Sequence, residues 1–258
     1  MAVKAGGTNK RSGDCAYCGK TNVIVEEEHV FPESWYPDGY PPSKMLVVPS
    51  CRPCNQAYNR VEVRMLPSLI LSVTQADDDP PIDSVIQRFA RSLDAMQGKS
   101  VTDIFHRNAR KAKIMRSTNV LGAGEEVSGT PGWHPAGRID GPVETLAGLQ
   151  VYGAPIIKFN ADDANALIVK FMKGTFFALT GCSLPPSVTI TPVTFVKDPR
   201  PALASIERLP NYAVHGDWPF EYGGVIVPGE PPKVAFSFRL WGFHLYFAYA
   251  GFTLPAKA

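Results

Sequence analysis

The chain reads as an α+β protein, and three observations carry that reading. Short β-prone runs alternate with segments whose apolar residues recur at helical spacing, as at Val85, Ile86, Phe89 and Leu93. Two Cys-x-x-Cys pairs, Cys15 with Cys18 and Cys51 with Cys54, bracket the first strand-like runs and lead straight into a helical one. The chain closes on two aromatic-rich, strand-like runs flanking Trp241 and Gly242, the spacing of a tight hairpin. With 45% hydrophobic and 19% charged residues over 258 positions, the composition is globular and excludes disordered, collagen-like and coiled-coil chains.

Element by element, residues 1–13 are rich in Gly, Lys, Thr and Ser and read as a mobile basic tail. A cysteine knuckle follows, then a strand at 22–25, a Pro/Gly-rich loop at 36–43 and a second strand at 45–48. A helix is expected from Asn55 to about Leu66, where Pro67 ends or kinks it. The stretch ADDDPP breaks the chain, and two helices follow at 82–96 and 101–115. Residues 122–141 read as a linker, rich in Gly and Pro. Beyond it come a strand at 145–152, a helix at 162–180, and strands at 188–196, 222–227, 234–240 and 243–249. The expected organisation is therefore an amino-terminal module (1–66), a helical segment carrying bases (67–118) and a carboxy-terminal α+β domain (119–258).

Charge narrows the partners only locally. The net charge of +2 demands no nucleic acid by itself, but residues 105–118 (FHRNARKAKIMRST) hold Arg107, Arg110, Lys111, Lys113 and Arg116 and no acid. No run approaches the roughly 20 apolar residues of a membrane span, and the first 20 residues lack the apolar core of a secretion signal. A cytoplasmic protein with no membrane partner is the expectation.

The five cysteines speak for metal rather than disulfides. An odd number, two-residue gaps and no secretion signal argue against a disulfide framework. Two knuckles can aim four thiolates, those of Cys15, Cys18, Cys51 and Cys54, at one tetrahedral Zn²⁺, and such a closed site is structural because it leaves no position for substrate. Cys182 stands among apolar residues and is expected as a buried free thiol.

The residues around the knuckles carry a resemblance. CAYCG, EEEHVFPES and LVVPSCRPCN together resemble the HNH, or ββα-metal, endonucleases of the zinc-knuckle type, over about residues 15–66. The resemblance implies that His29 is the general base taking a proton from water, and that Glu28 and Asn55 hold one catalytic divalent ion, Mg²⁺ or Mn²⁺, whose hard character suits oxygen ligands. It further implies phosphodiester hydrolysis in nucleic acid, with DNA as the expected substrate.

Two departures from that family pattern are visible. Glu28 is one methylene longer than the Asp common before the His, and the middle Asn is absent, with Lys44, Met45 and Leu46 standing there. Asn59, one turn beyond Asn55, is either an extra contact or part of a solvated face. Contacts to phosphate are expected from Arg52 and from Arg107, Arg110, Lys111 and Lys113, each of which also has a plain reading as a solvated charge. The aromatic hairpin is expected to be core rather than a base-stacking surface. Two other readings stay open: a non-catalytic, zinc-stabilised nucleic-acid-binding protein with a degenerate HNH site, and a zinc staple serving a carboxy-terminal small-molecule domain. A homodimer is also left open.

Overall fold

The computed structural model describes residues 11–72, 82–116, 118–120, 133–135, 142–144, 150–152, 155–158, 160–193, 200–241 and 244–252. Most of the expected linker at 122–141 lies outside them, as do residues 145–149 and 194–196 of two expected strands.

The amino-terminal elements are β1 (Arg11–Gly13), β2 (Val23–His29), β3 (Val47–Cys51) and α1 (Arg52–Ser72). They form an antiparallel sheet in the order β1-β2-β3 with α1 packed against it, a ββα arrangement. Arg11–Gly13, expected in the tail, instead pairs with Val23–Val25, because β2 otherwise presents an open edge on that side. β2 is also longer than its sequence suggests: Glu26, Glu27 and Glu28 are poor strand formers, and pairing with Ser50, Pro49 and Val48 overrides that preference.

α1 runs through Pro67 rather than ending before it. Leu69 and Ile70, just beyond the proline, are buried in the core, and that burial offsets the backbone hydrogen bond the proline cannot make. Next come α2 (Asp83–Leu93) and α3 (Val101–Arg116), then short strands β4 (Thr118–Val120), β5 (Trp133–Pro135), β6 (Pro142–Glu144), β7 (Gln150–Tyr152) and β8 (Pro155–Lys158). β4, β8 and β5 pair as one small sheet, β6 and β7 as another.

α4 (Ala161–Thr180) is the central element. The Asn160 side chain accepts from the Asp162 and Asp163 amides at its start, and Gly181, at φ +71°, closes its end. Leu167, Ile168, Phe171, Met172 and Phe176 are buried along it. The remaining elements are β9 (Thr191–Val193), α5 (Arg200–Glu207), β10 (Ala213–His215), β11 (Phe220–Val227), β12 (Lys233–Leu240) and β13 (His244–Ala250). Their five-stranded antiparallel sheet has the order β10-β11-β12-β13-β9.

That sheet is buried on both faces. Along β12, Val234, Phe236, Phe238 and Leu240 join the main core, whereas Ala235 faces a smaller cluster with Ile206 of α5, Val225 and Phe247, the period of two that a strand imposes. The aromatic hairpin is core, as expected: Trp241, Tyr246 and Phe247 are all buried. Trp241 holds a left-handed φ of 54°, unusual for a bulky side chain, and two bonds fix it there. Its amide donates to the Pro219 carbonyl at 2.7 Å and its indole N–H to the Trp35 carbonyl at 3.0 Å.

One core therefore runs from the ββα module to the carboxy-terminal sheet. Phe31 stacks on Phe220 with ring centroids 4.9 Å apart, and Phe171 lies between Phe31 (4.8 Å), Trp35 (6.4 Å) and Phe238 (5.8 Å). Phe171→Ala is expected to cost about 3–5 kcal/mol in denaturant unfolding. It should lower the midpoint of far-ultraviolet dichroism and of tryptophan fluorescence together, as one transition.

Candidate functional site

Local geometry gathers the four knuckle cysteines. Gly19, at φ +68°, lets the first knuckle turn back, with its amide donating to the Cys15 carbonyl at 3.0 Å and the Cys15 amide to the Lys20 carbonyl at 2.9 Å. The Ala16 amide reaches the Pro49 carbonyl at 2.9 Å and so docks this knuckle on β3. Cys51 ends β3 and Cys54 lies in the first turn of α1. The four sulfurs all lie within 4.8 Å of one another, and Cys18 Sγ stands 3.8 Å from Cys51 Sγ. Four sulfurs each about 2.3 Å from a tetrahedral Zn²⁺ stand about 3.8 Å apart, so the spacing fits that ion.

The electrostatics fit as well. Burial pushes the Cys15 thiol up, but amides of Cys51, Cys18 and Tyr17 with the Cys18 thiol outweigh it and bring Cys15 down to about 7. The Cys51 amide donates to Cys15 Sγ at 3.3 Å. Burial and the neighbouring cysteines push Cys54 well up, since each thiolate opposes the next. A bound dication removes that opposition and lets all four ionise.

Glu28 and His29 end β2. They sit opposite Val48 and Val47 of β3, and as consecutive strand residues their side chains leave on opposite faces. Glu28 turns toward α1 and α4, where Lys170 Nζ donates to its Oε1 at 2.7 Å. The same ammonium donates to the His29 carbonyl at 2.7 Å and to Glu62 Oε1 of α1. All three ammonium protons are thus used, and the Lys170 side chain is 0% exposed. Burial pushes the Glu62 carboxyl up, against the pull of Lys170. The Tyr17 hydroxyl is buried nearby without a hydrogen-bond partner among the described residues; burial first, then Glu28, Tyr58 and Glu62, push it well above the usual phenol range.

Two more polar contacts bind α4 to the module. Arg64 of α1 forks onto Asp163 at 2.7 and 2.5 Å, and Lys173 Nζ donates to the Tyr17 carbonyl at 3.0 Å. Asp163, Lys170 and Lys173 recur on one face of α4 at helical spacing. Lys170 and Glu62 were missed in the sequence, although each leaves a trace there. A lysine inside the apolar run LIVKFM has to find a buried partner, and Glu62 stands seven residues after Asn55 on the same face of α1.

The other expected residues fall as follows. Asn55 is half-buried in the first turn of α1, one residue after Cys54, and Asn59 is exposed. Arg52 is exposed and lines a cavity of about 390 Å³ with Lys20, Val23, Ile24, Glu26, Cys51 and Pro53. Arg110, Lys111 and Lys113 are exposed on α3. Arg107 differs from them: its guanidinium donates to Asp103 at 3.1 Å and to the Arg91 carbonyl at 2.6 Å, tying α3 to the end of α2. Cys182, expected to be buried, is exposed, because it follows the glycine that ends α4 and lies beyond the buried face.

The two residues expected at a second metal carry oxygen donors. Glu28 Oε2 has no hydrogen-bond partner among the described residues, and Asn55 offers an amide carbonyl. Among the described residues, the four cysteines are the one group of three or more His, Cys, Asp or Glu side chains placed to hold a metal.

Metal analysis should find one zinc per chain in the wild type and none in Cys54→Ser. Affinity should fall as pH drops, because each thiolate regains a proton. Set against protein families, curated proteins and solved structures, the chain matches none, so the reading of this site rests on its own residues.

Proposed function

We propose that this chain is a metal-dependent endonuclease that hydrolyses phosphodiester bonds in DNA. The observation that carries the reading is the ββα arrangement, in which β2 ends on Glu28 and His29, β3 runs back, and Asn55 follows Cys54 in the first turn of α1, beside the four-cysteine group. Phosphodiester hydrolysis needs a base for water and a cation for the charge that develops on the phosphoryl group. His29 is half-buried at the end of its strand and suits the first task, imidazole being the side chain most often used to move a proton in catalysis. Glu28 and Asn55 would hold the ion, which supplies charge neutralisation when bound. Arg52 with Lys20, and Arg110, Lys111 and Lys113, would meet the phosphate backbone.

A second reading, a non-catalytic zinc-stabilised nucleic-acid-binding protein, is favoured by two specific observations. Lys170 already holds one oxygen of Glu28, and the strand alternation sends Glu28 and His29 to opposite faces.

The deciding experiment compares wild type with His29→Ala on plasmid DNA, single-stranded DNA and RNA, in Mg²⁺, Mn²⁺ or EDTA, with zinc content checked in each protein. The nuclease reading expects cleavage of DNA by wild type alone, abolished by EDTA, and a loss of about 10²–10⁴-fold in His29→Ala with binding retained. Binding without cleavage in every condition makes it the non-catalytic protein. Replacing Arg110, Lys111 and Lys113 together by Gln should reduce the slope of log binding constant against log salt by about 2–3 in a fluorescence-anisotropy titration. An unchanged slope removes α3 from the nucleic-acid surface.

A further inference from the structure

We infer that Lys170 and Glu62 form a positioning clamp for the Glu28–His29 end of β2, so that α4 and α1 together set the site from behind; in its catalytic consequence this rests on the nuclease reading. The ammonium of Lys170 meets three acceptors: Glu28 Oε1 at 2.7 Å, the His29 carbonyl at 2.7 Å and Glu62 Oε1. Two of these belong to consecutive residues of β2, one through a side chain and one through the backbone. One atom therefore fixes both the rotamer of Glu28 and the backbone that carries His29.

The clamp is rigid because its own supports are. Lys170 lies between Ile168, Phe171 and Met172, all buried, in the middle of α4. Gly174, one turn on, lets Val30 approach so closely that an added Cβ would meet Val30 Cγ2 at 2.7 Å. Arg64 and Asp163 pin α1 to α4 further along. Glu62 is the counter-charge, and without it a lone buried ammonium would hold Glu28 as its only carboxylate partner and repel any dication brought to it. Carboxylates that ligate metals are themselves commonly hydrogen-bonded by outer partners, whose loss lowers metal affinity or activity by about 10–100-fold.

Charge and position can be separated by variants. Lys170→Met removes a positive charge and Glu62→Gln a negative one, while Lys170→Met with Glu62→Gln removes both and leaves the net charge as it was. The double variant removes the buried Lys170–Glu62 pair as a unit, so that what it leaves without a donor is Glu28 Oε1 and the His29 carbonyl. Mn²⁺ binding is followed by electron paramagnetic resonance, with Glu28→Gln marking which binding depends on that carboxylate. Peptide-level hydrogen exchange over residues 24–30 reads the end of β2, and zinc content and thermal midpoint report the fold.

The clamp predicts that the double variant keeps its zinc and its fold. It should lose about 10–100-fold in Glu28-dependent Mn²⁺ affinity and in kcat, with KM for DNA unchanged, and exchange faster over 24–30. If the double variant matches wild type in Mn²⁺ affinity and exchange, Lys170 and Glu62 are an ordinary buried ion pair and the inference falls. Tighter Glu28-dependent Mn²⁺ binding in Lys170→Met also overturns it, since the ammonium then competes with the ion. Should wild type show no Glu28-dependent Mn²⁺ site and no cleavage, the nuclease reading fails by itself. The exchange measurement then decides the clamp alone, and unchanged exchange over 24–30 ends it.

Discussion

A three-stranded sheet with one helix laid across it exposes too much of its inner face to hold its shape alone, and every other feature of this protein follows from how that face is covered. The four cysteines bring the knuckle loop, the end of β3 and the start of α1 to one point, where a metal could join them. A point fixes a corner; it does not cover a face. α4 does that, lying against α1 and β3 and turning Leu167, Ile168, Phe171 and Met172 into the shared core. A helix that supplies so much apolar surface has no exposed side to spare at its centre, so the one lysine there must be met by buried acceptors. Glu28, Glu62 and the His29 carbonyl meet it, and the candidate site thereby becomes a property of two chain regions more than a hundred residues apart.

What was legible in the sequence was local. Ligand spacing in the two Cys-x-x-Cys pairs is set by a turn of a few residues, so it can be read directly and the four sulfurs do converge. α4 was legible because its periodicity is long and its ends are marked by Asn160 and Gly181. The aromatic hairpin was legible for the same reason, its alternation spanning two full strands. The four-cysteine group and the mixed α+β architecture were therefore within reach before any coordinates.

What was not legible depends on partners distant in the chain. β1 was hidden in a segment of tail-like composition because a strand at an edge is defined by its neighbour, not by its own residues. Pro67 stops a helix by local rules, and here the burial of Leu69 and Ile70 outweighs them. Arg107 looks like its basic neighbours, yet only the end of α2, 16 residues earlier, shows that it is a structural donor. Lys170 and Glu62 belong to the same class: each is an anomaly in its own helix, and only the other's position gives it meaning.

The bond between the Trp241 indole and the Trp35 carbonyl joins residues 206 positions apart. A ribosome working at roughly 5–20 residues per second exposes Trp35, Phe31 and Val30 for about 10–40 s before the strand that covers them has been made. The first part of that interval leaves the nascent module with its thiolates but with neither α4 nor the sheet. Early capture of the metal would then serve biogenesis as much as the finished protein, by keeping an apolar, strand-edged intermediate folded until its cover arrives. Shortage of zinc during synthesis would show itself as aggregation of new chains, while chains completed earlier remained sound.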